Sequence, residues 1–300
     1  MAANSSEAGS KQAMQHDSLD DFLKSGRAAL SKGPVALIFA EDDVEIDGTL
    51  RHHLDLGFRS VIAFMPPDFA MAPELAQRVH RVSMRCTPRE AVFDAINRII
   101  RAAPSIWMYY CYNSEYLFFP FCETRTIGEM LTFHAEERRE SMLCHVIDIY
   151  ADDLSVHPNG VAPDHAMLDS TGYYAHSRHD QDGTPLERQL DMSGGLRWRF
   201  EDRIPYERRR IDRIGLFKAR KGLTLLPDHT FNEPEYNTYA CPWHHNLTAA
   251  ICSFRAAKAL CSTAGPGGPI TSFRWPNSVP FQWNSNQLLE LGLIEPGQWF

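Results

Sequence analysis

Between Val35 and Tyr150, short apolar runs alternate with segments whose apolar positions recur every three or four residues. The runs Val35 to Phe39, Val61 to Phe64, Val82 to Met84, Ile106 to Cys111 and Cys144 to Tyr150 each predict a strand buried on both faces. The intervening segments carry helix signals. Leu50, His53, Leu54 and Leu56 have helical spacing, and Gly57 suits a C-terminal cap. Pro73 to His80 reads as a short helix. Thr87-Pro88-Arg89-Glu90 combines an N-cap threonine, a first-turn proline and an acidic third residue. Ala91, Ala95, Ile96, Ile99 and Ile100 then form one apolar face that stops before Pro104. Thr126 to Glu129 repeats the capping pattern and opens a helix expected from Met130 to Met142. Strand alternating with helix predicts an α/β fold: a mostly parallel, Rossmann-type sheet flanked by helices.

Beyond Ala151 the pattern loosens. His157 to Pro185 is rich in Asp, His, Gly and Pro and reads as an extended loop. Arg203 to Arg213 reads as helical, Leu223 to Leu226 as a short strand, and Leu247 to Leu260 as a helix. Gly265 to Pro269 marks a turn, and Trp275, Trp283 and Trp299 follow in the last thirty residues. The expected organisation is a solvated tail over 1–18, an α/β half over 19–150, and an irregular C-terminal extension over 151–300 completing the same domain. No internal repeat is present.

Composition narrows the class. With 300 residues, 44% hydrophobic and 23% charged, the chain is an ordinary globular protein. No apolar run approaches the roughly 18 residues of a membrane span, so any membrane association is expected to be peripheral. The N-terminal segment lacks the apolar stretch of a secretory signal. Seven cysteines, an odd number without CxxC spacing, read as reduced thiols rather than disulfides or a zinc site, which predicts a cytoplasmic protein. A net charge of −8 argues against general nucleic-acid binding. Charge is uneven, however: Arg197 to Lys221 holds ten Lys and Arg against four Asp and Glu. That stretch is either a solvated helix face with internal ion pairs or a patch that neutralises an anionic substrate or the pyrophosphate of a nucleotide.

Candidate chemistry falls where strands end. Glu41 and Asp42 close the first strand, and Asn113-Ser114-Glu115 closes the fourth. In open α/β sheets ligands bind in the crevice outside the carboxyl ends of the strands. The triplet has two readings, a tight turn or a pair of oxygen donors for a hard cation or a sugar hydroxyl. Neither GxGxxG nor GxxxxGK[ST] follows the first strand, which disfavours dinucleotide and P-loop enzymes. No GxSxG elbow supports an α/β hydrolase.

The segment from Ala40 to Phe58, AEDDVEIDGTLRHHLDLGF, resembles the opening of bacterial family 2 glycosyltransferases of the "KNE…EW…H…LG" subgroup. His53, Leu56 and Gly57 match that pattern, Asp42 falls on its acidic position, Glu41 replaces its Asn, and Thr49 stands where Trp is usual. Tyr112 to Leu117 resembles the subgroup's "DxDEF" stretch, with Glu115, Tyr116 and Leu117 matching and Tyr112 and Ser114 replacing the aspartates. Ser253, Arg255 and Lys258 weakly resemble its late "HY…KS" region. The resemblance covers about half the chain. It implies a GT-A fold, a nucleotide-sugar donor, a glycan or other hydroxyl acceptor, and Mg²⁺ or Mn²⁺.

Under that reading Glu41 and Asp42 meet the base or ribose, and Asn113 and Glu115 hold the metal in an N-x-E version of the site. His229, His244 and His245 are further candidate metal ligands, because neutral imidazole binds metals readily. Asp148, Asp152 and Asp153, at or just past the end of the fifth strand, are the candidate bases for an acceptor hydroxyl. Trp243 is a candidate to stack on a sugar face. The rival reading is a catalytically inactive module of the same fold that binds a glycan or a protein.

Overall fold

A computed structural model describes residues 14–242, 244–263 and 268–299. The expected tail up to residue 13, Trp243, most of the expected turn at 265–269, and Phe300 lie outside the described residues. The chain is an α/β protein built on one large mixed sheet flanked by helices. Its strands are β1 (Gln15–His16), β2 (Val35–Phe39), β3 (Ser60–Met65), β4 (Val79–Ser83), β5 (Trp107–Tyr112), β6 (Glu115–Phe118), β7 (Ser141–Ala151) and β8 (Ala166–Asp169). A separate hairpin of β9 (Tyr173–His179) and β10 (Pro185–Gly194) precedes β11 (Asp212–Lys218), β12 (Ala249–Ser253) and β13 (Ser278–Pro280).

The order across the sheet is β1-β4-β3-β2-β5-β11-β7-β12-β6, with β8 and β13 continuing from the end of β7. Most strands run in one direction; β11, β6 and β8 run against it. The second half of the chain therefore inserts β11 between β5 and β7, so both halves share one sheet.

The helices are α1 (Leu19–Ser25), α2 (Ile46–Asp55), α3 (Glu90–Ala102), α4 (Ile127–Glu136), α5 (Gly195–Arg199), α6 (Arg255–Ser262) and α7 (Ser285–Glu290). Strand residues alternate between the two faces of a sheet. Leu37, Phe39, Tyr110 and Tyr112 accordingly pack with Val92, Ile96, Ile99 and Ile100 of α3. Ala36, Ile38, Tyr109 and Cys111 face α2 and α4 through Leu50, Ile127 and Met130. Covering both faces explains why the strands read as unbroken apolar runs. Each large side chain buried this way contributes about 1.5–3 kcal/mol.

Several expected elements change form. Arg203 to Arg213 is not a helix: only a single 3-10 turn forms, at Tyr206–Arg208, and Asp212 already starts β11. Leu247 to Leu260 divides into strand β12 and helix α6, because Ala249 to Ser253 is flanked by β6 and β7 and buried on both faces. Short apolar runs of this kind do not distinguish a buried strand from a buried helix. Pro73 to His80 yields a 3-10 turn at Leu75–Gln77, and Val79 then joins β4. The expected loop from His157 to Pro185 contains β8 and β9. Thr87 does not cap α3; its peptide bond to Pro88 is cis and the helix begins at Glu90. The thiols of all seven cysteines are free. No helix among the described residues is long and apolar enough to cross a membrane.

At α4 the capping box forms in full: Thr126 Oγ1 accepts from Glu129 N, and Glu129 Oε2 accepts from Thr126 N at 2.7 Å. Thr126→Ala should therefore lower stability by about 1 kcal/mol in urea unfolding, with the unfolding slope unchanged.

Candidate functional site

The chain leaves β5 at Tyr112 in the middle of the sheet and re-enters as β6 at its far edge. Asn113 and Ser114 make that crossing, and Ser114 takes the left-handed conformation at φ 63° that a tight reversal requires. Asn113, Ser114 and Glu115 are all fully buried. The turn reading and the functional reading of the triplet thus describe the same residues, and the question is what their polar atoms hold.

Asn113 holds the β2–α2 loop. Its Oδ1 accepts from Glu41 N at 2.9 Å, and its Nδ2 donates to Asp42 Oδ1 at 2.6 Å and Val44 O at 2.8 Å. Ser114 Oγ donates to Val44 O at 2.9 Å, and Ser114 N donates to Thr49 Oγ1 at 2.8 Å. Thr49, which departs from the glycosyltransferase pattern, is thus the buried acceptor for this turn. His53 is buried too, with Nδ1 2.8 Å from Thr49 O and its ring stacked on Tyr109. Burial above all holds its pKa down at about 3, so it is a neutral core residue.

Glu115 holds the opposite side of the crevice. Arg213 of β11 donates from Nη1 to Oε2 at 2.7 Å and from Nη2 to Oε1 at 3.0 Å, a two-pronged guanidinium–carboxylate pair. Tyr112 N donates to Oε2 at 2.9 Å, Ser253 Oγ to Oε1 at 3.2 Å, and Arg255 Nη1 lies 3.7 Å from Oε1. Burial would push this carboxyl up, but the charges of Arg213 and Arg255 and the hydrogen bonds hold it down at about 2.

Two ion pairs fasten the β2–α2 loop to α6. Arg255 donates from Nε and Nη2 to Glu41 at 2.7 and 2.8 Å, with its guanidinium 3.6 Å from the centre of the Tyr112 ring. Lys258 Nζ donates to both oxygens of Asp42 at 2.9 and 2.8 Å.

These elements wall a cavity of about 1050 Å³. It opens where β2, β4 and β12 end and where β11 begins, the place in an open α/β sheet at which ligands bind. Glu41, Asp42 and His229 line it, and Asn113 and Glu115 lie directly behind its wall through the contacts above. Eight Lys and Arg side chains face the cavity against five Asp and Glu. The basic stretch from Arg197 to Lys221 supplies five of the eight, so it forms a cavity wall rather than a helix face.

His229 sits at positive φ, stacked on Tyr110. Arg89 Nη2 lies 2.7 Å from its Nε2 and Tyr110 Oη 2.8 Å from its Nδ1. An arginine can only donate, so Nε2 accepts and Nδ1 carries the proton. Burial, then the charges of Arg213, Arg89, Arg255 and Arg197, hold its pKa well below the usual value. Both ring nitrogens are committed.

The other expected residues lie elsewhere. Asp148 is buried, its oxygens accepting from Arg197 N and Nε at 3.3 and 3.2 Å, and Gly195 at positive φ passes so close that a Cβ there would sit 3.2 Å from Oδ2. Burial, opposed by Arg197, pushes the Asp148 carboxyl up. Asp153 caps its own turn through Ser155 N and Oγ, and Asp152 lies 3.9 Å from His165. None of the three lines the cavity. His244 is 2.7 Å from Glu137 and, with His245, lines a separate surface depression near Arg188 and Tyr239.

The expectation of a divalent cation on Asn113 and Glu115 finds no fit in these donors. Every oxygen of the pair already accepts from an N–H or O–H, and Arg213 puts positive charge where a cation would sit. Among the described residues no three His, Cys, Asp or Glu gather as metal ligands. The residues the sequence reading missed here are Arg213, the partner of Glu115, and Arg89, the partner of His229; the surplus of arginine after Arg197 was the available signal. Comparison with protein-family models and with curated proteins gives no match.

Removing one member of a buried ion pair leaves the other charge uncompensated, so Glu115→Ala should lower stability by about 3–5 kcal/mol. Because the folded pKa is depressed from 4.5 to about 2, the Glu115 contribution is complete above pH 4.5 and lost as pH falls toward 2. Denaturant unfolding of Glu115→Gln between those pH values should show a shallower acid loss than the parent.

Proposed function

We propose that the chain is a glycosyltransferase of GT-A type that takes a nucleotide-sugar donor. The observation that supports this most is the cavity itself. It is large enough for a nucleotide sugar, it lies at the carboxyl ends of the strands, and it sets acidic groups against a cationic wall. Glu41 and Asp42 present carboxylates suited to base or ribose hydroxyls, while the arginines opposite suit a diphosphate. An open sheet with one reversed strand, β11, at its centre is compatible with this class of fold.

Transfer also needs a base for the acceptor hydroxyl. Among the cavity carboxylates, Glu41 and Asp42 are doubly bonded to α6, Asp212 is buried between Arg178 and Arg210, and Glu207 is exposed on the 3-10 turn Tyr206–Arg208 at the rim. Asp228 is half exposed. It lines the cleft, its Oδ1 accepting from Thr230 and its Oδ2 3.7 Å from Arg210. We assign it the role first expected of Asp148, Asp152 or Asp153.

The second reading, a silent module that binds sugar nucleotide or glycan without turnover, is favoured by one observation: the triplet at the end of β5 is fully occupied in holding the fold. Release of free nucleotide from a donor panel separates the two, since a silent module retains its ligand unchanged.

A donor-class nucleoside diphosphate at about 100 times its Kd should stabilise the fold by about 2.7 kcal/mol, a rise of several degrees in melting temperature. No shift with any base would contradict the proposal. Asp228→Asn should lower kcat by about 10²–10⁴-fold while leaving the melting temperature and nucleotide affinity near those of the parent. An unchanged kcat would remove Asp228 from the mechanism.

A further inference from the structure

We infer that the cavity neutralises the diphosphate of its ligand with guanidinium groups, Arg89 and Arg208 foremost, without a bridging divalent cation. This rests on the nucleotide-sugar reading for the identity of the ligand, but its physical basis is independent of it.

Four of the carboxylates that face or back the cavity are already committed to cations, leaving only Asp228 and the exposed Glu207. Glu115 is held by Arg213, Glu41 by Arg255, Asp42 by Lys258, and Asp212 by Arg178 and Arg210. A metal on any of these four would have to displace its cation, against charge repulsion from the group it freed, and among the described residues no three His, Cys, Asp or Glu gather as metal ligands. Two guanidiniums on the same cavity have no such partner. Arg89 spends Nη2 on Pro227 O at 3.0 Å and His229 Nε2 at 2.7 Å, and forms no ion pair among the described residues. Arg208, exposed on the 3-10 turn Tyr206–Arg208, makes no side-chain hydrogen bond or ion pair among them. A surplus of positive charge is therefore built into this wall before any ligand arrives. Beside Arg89, His229 is kept neutral first by burial and then by the charges of four arginines. Guanidinium groups present paired N–H donors that match phosphate oxygens, and they supply charge without a coordination sphere.

The test is calorimetric titration of the full chain with inorganic pyrophosphate, UDP and GDP, each in EDTA and each with Mn²⁺, on the parent, Arg89→Ala, Arg89→Lys and Arg208→Ala. The expected result is binding in EDTA within about twofold of that with Mn²⁺. Affinity should fall about tenfold to a hundredfold in Arg89→Ala, fall in Arg208→Ala, and recover partly in Arg89→Lys. Arg208 is exposed, so its variant keeps the test valid should Arg89→Ala unfold. Binding that appears only with Mn²⁺ overturns the inference and leaves the nucleotide-sugar reading standing. Pyrophosphate that binds in EDTA and weakens in the variants, with neither nucleotide binding, supports the arginine site and sinks the nucleotide reading. No binding of any probe in either condition overturns both.

Discussion

A buried carboxylate must find a cation or give up its charge, and in this chain Glu115 finds Arg213. That pair joins the turn after β5 to the reversed strand β11, and Ser253 and Arg255 tie β12 and α6 to the same oxygens. Three stretches distant in sequence, the β5–β6 turn, β11 and the β12–α6 junction, thus converge on one side chain at the mouth of the sheet. Desolvating two charges is costly, and a buried pair adds little net stability compared with apolar packing. In this structure β11 lies between β5 and β7 in the register that brings Arg213 to Glu115.

The same rule recurs at the cavity and elsewhere in the sheet. Asp148 is met by Arg197, Asp169 by Arg199, Asp212 by Arg178 and Arg210, Glu41 by Arg255 and Asp42 by Lys258. Charge that looked catalytic in the sequence is consumed in fixing loops, and function passes to groups left over. In the proposed function these are the guanidiniums without a carboxylate, and Asp228 on the cavity wall. A positive wall assembled this way holds its charges in place before a ligand enters, so little reorganisation is needed on binding.

The first half of the fold was legible because β2 to β5 and their helices obey simple periodicities. Parallel strands covered on both faces read as apolar runs, and α3 and α4 carry clear apolar faces. The second half was not, because β11 and β12 owe their strand form to neighbours. Ile214 to Phe217 and Ala249 to Ser253 are short apolar runs beside basic or helix-forming residues, and only insertion into the sheet makes them strands. At the site, the position of the crevice was readable from Glu41, Asp42 and Asn113-Ser114-Glu115. The use of those residues was not, since it depends on an arginine 98 positions away. His229, expected as a metal ligand, lines the cleft, but its partners Arg89 and Tyr110 come from distant segments and fix it as a neutral ring.

The account stands on Glu115 belonging to Arg213 and not to a metal. Crystals grown with a nucleoside diphosphate and Mn²⁺ test this directly through anomalous scattering. We predict no manganese peak at coordination distance, about 2.1 Å, from the Glu115 oxygens, with the Arg213 guanidinium still paired to them. A manganese ion on Glu115, with Arg213 swung aside, would contradict it.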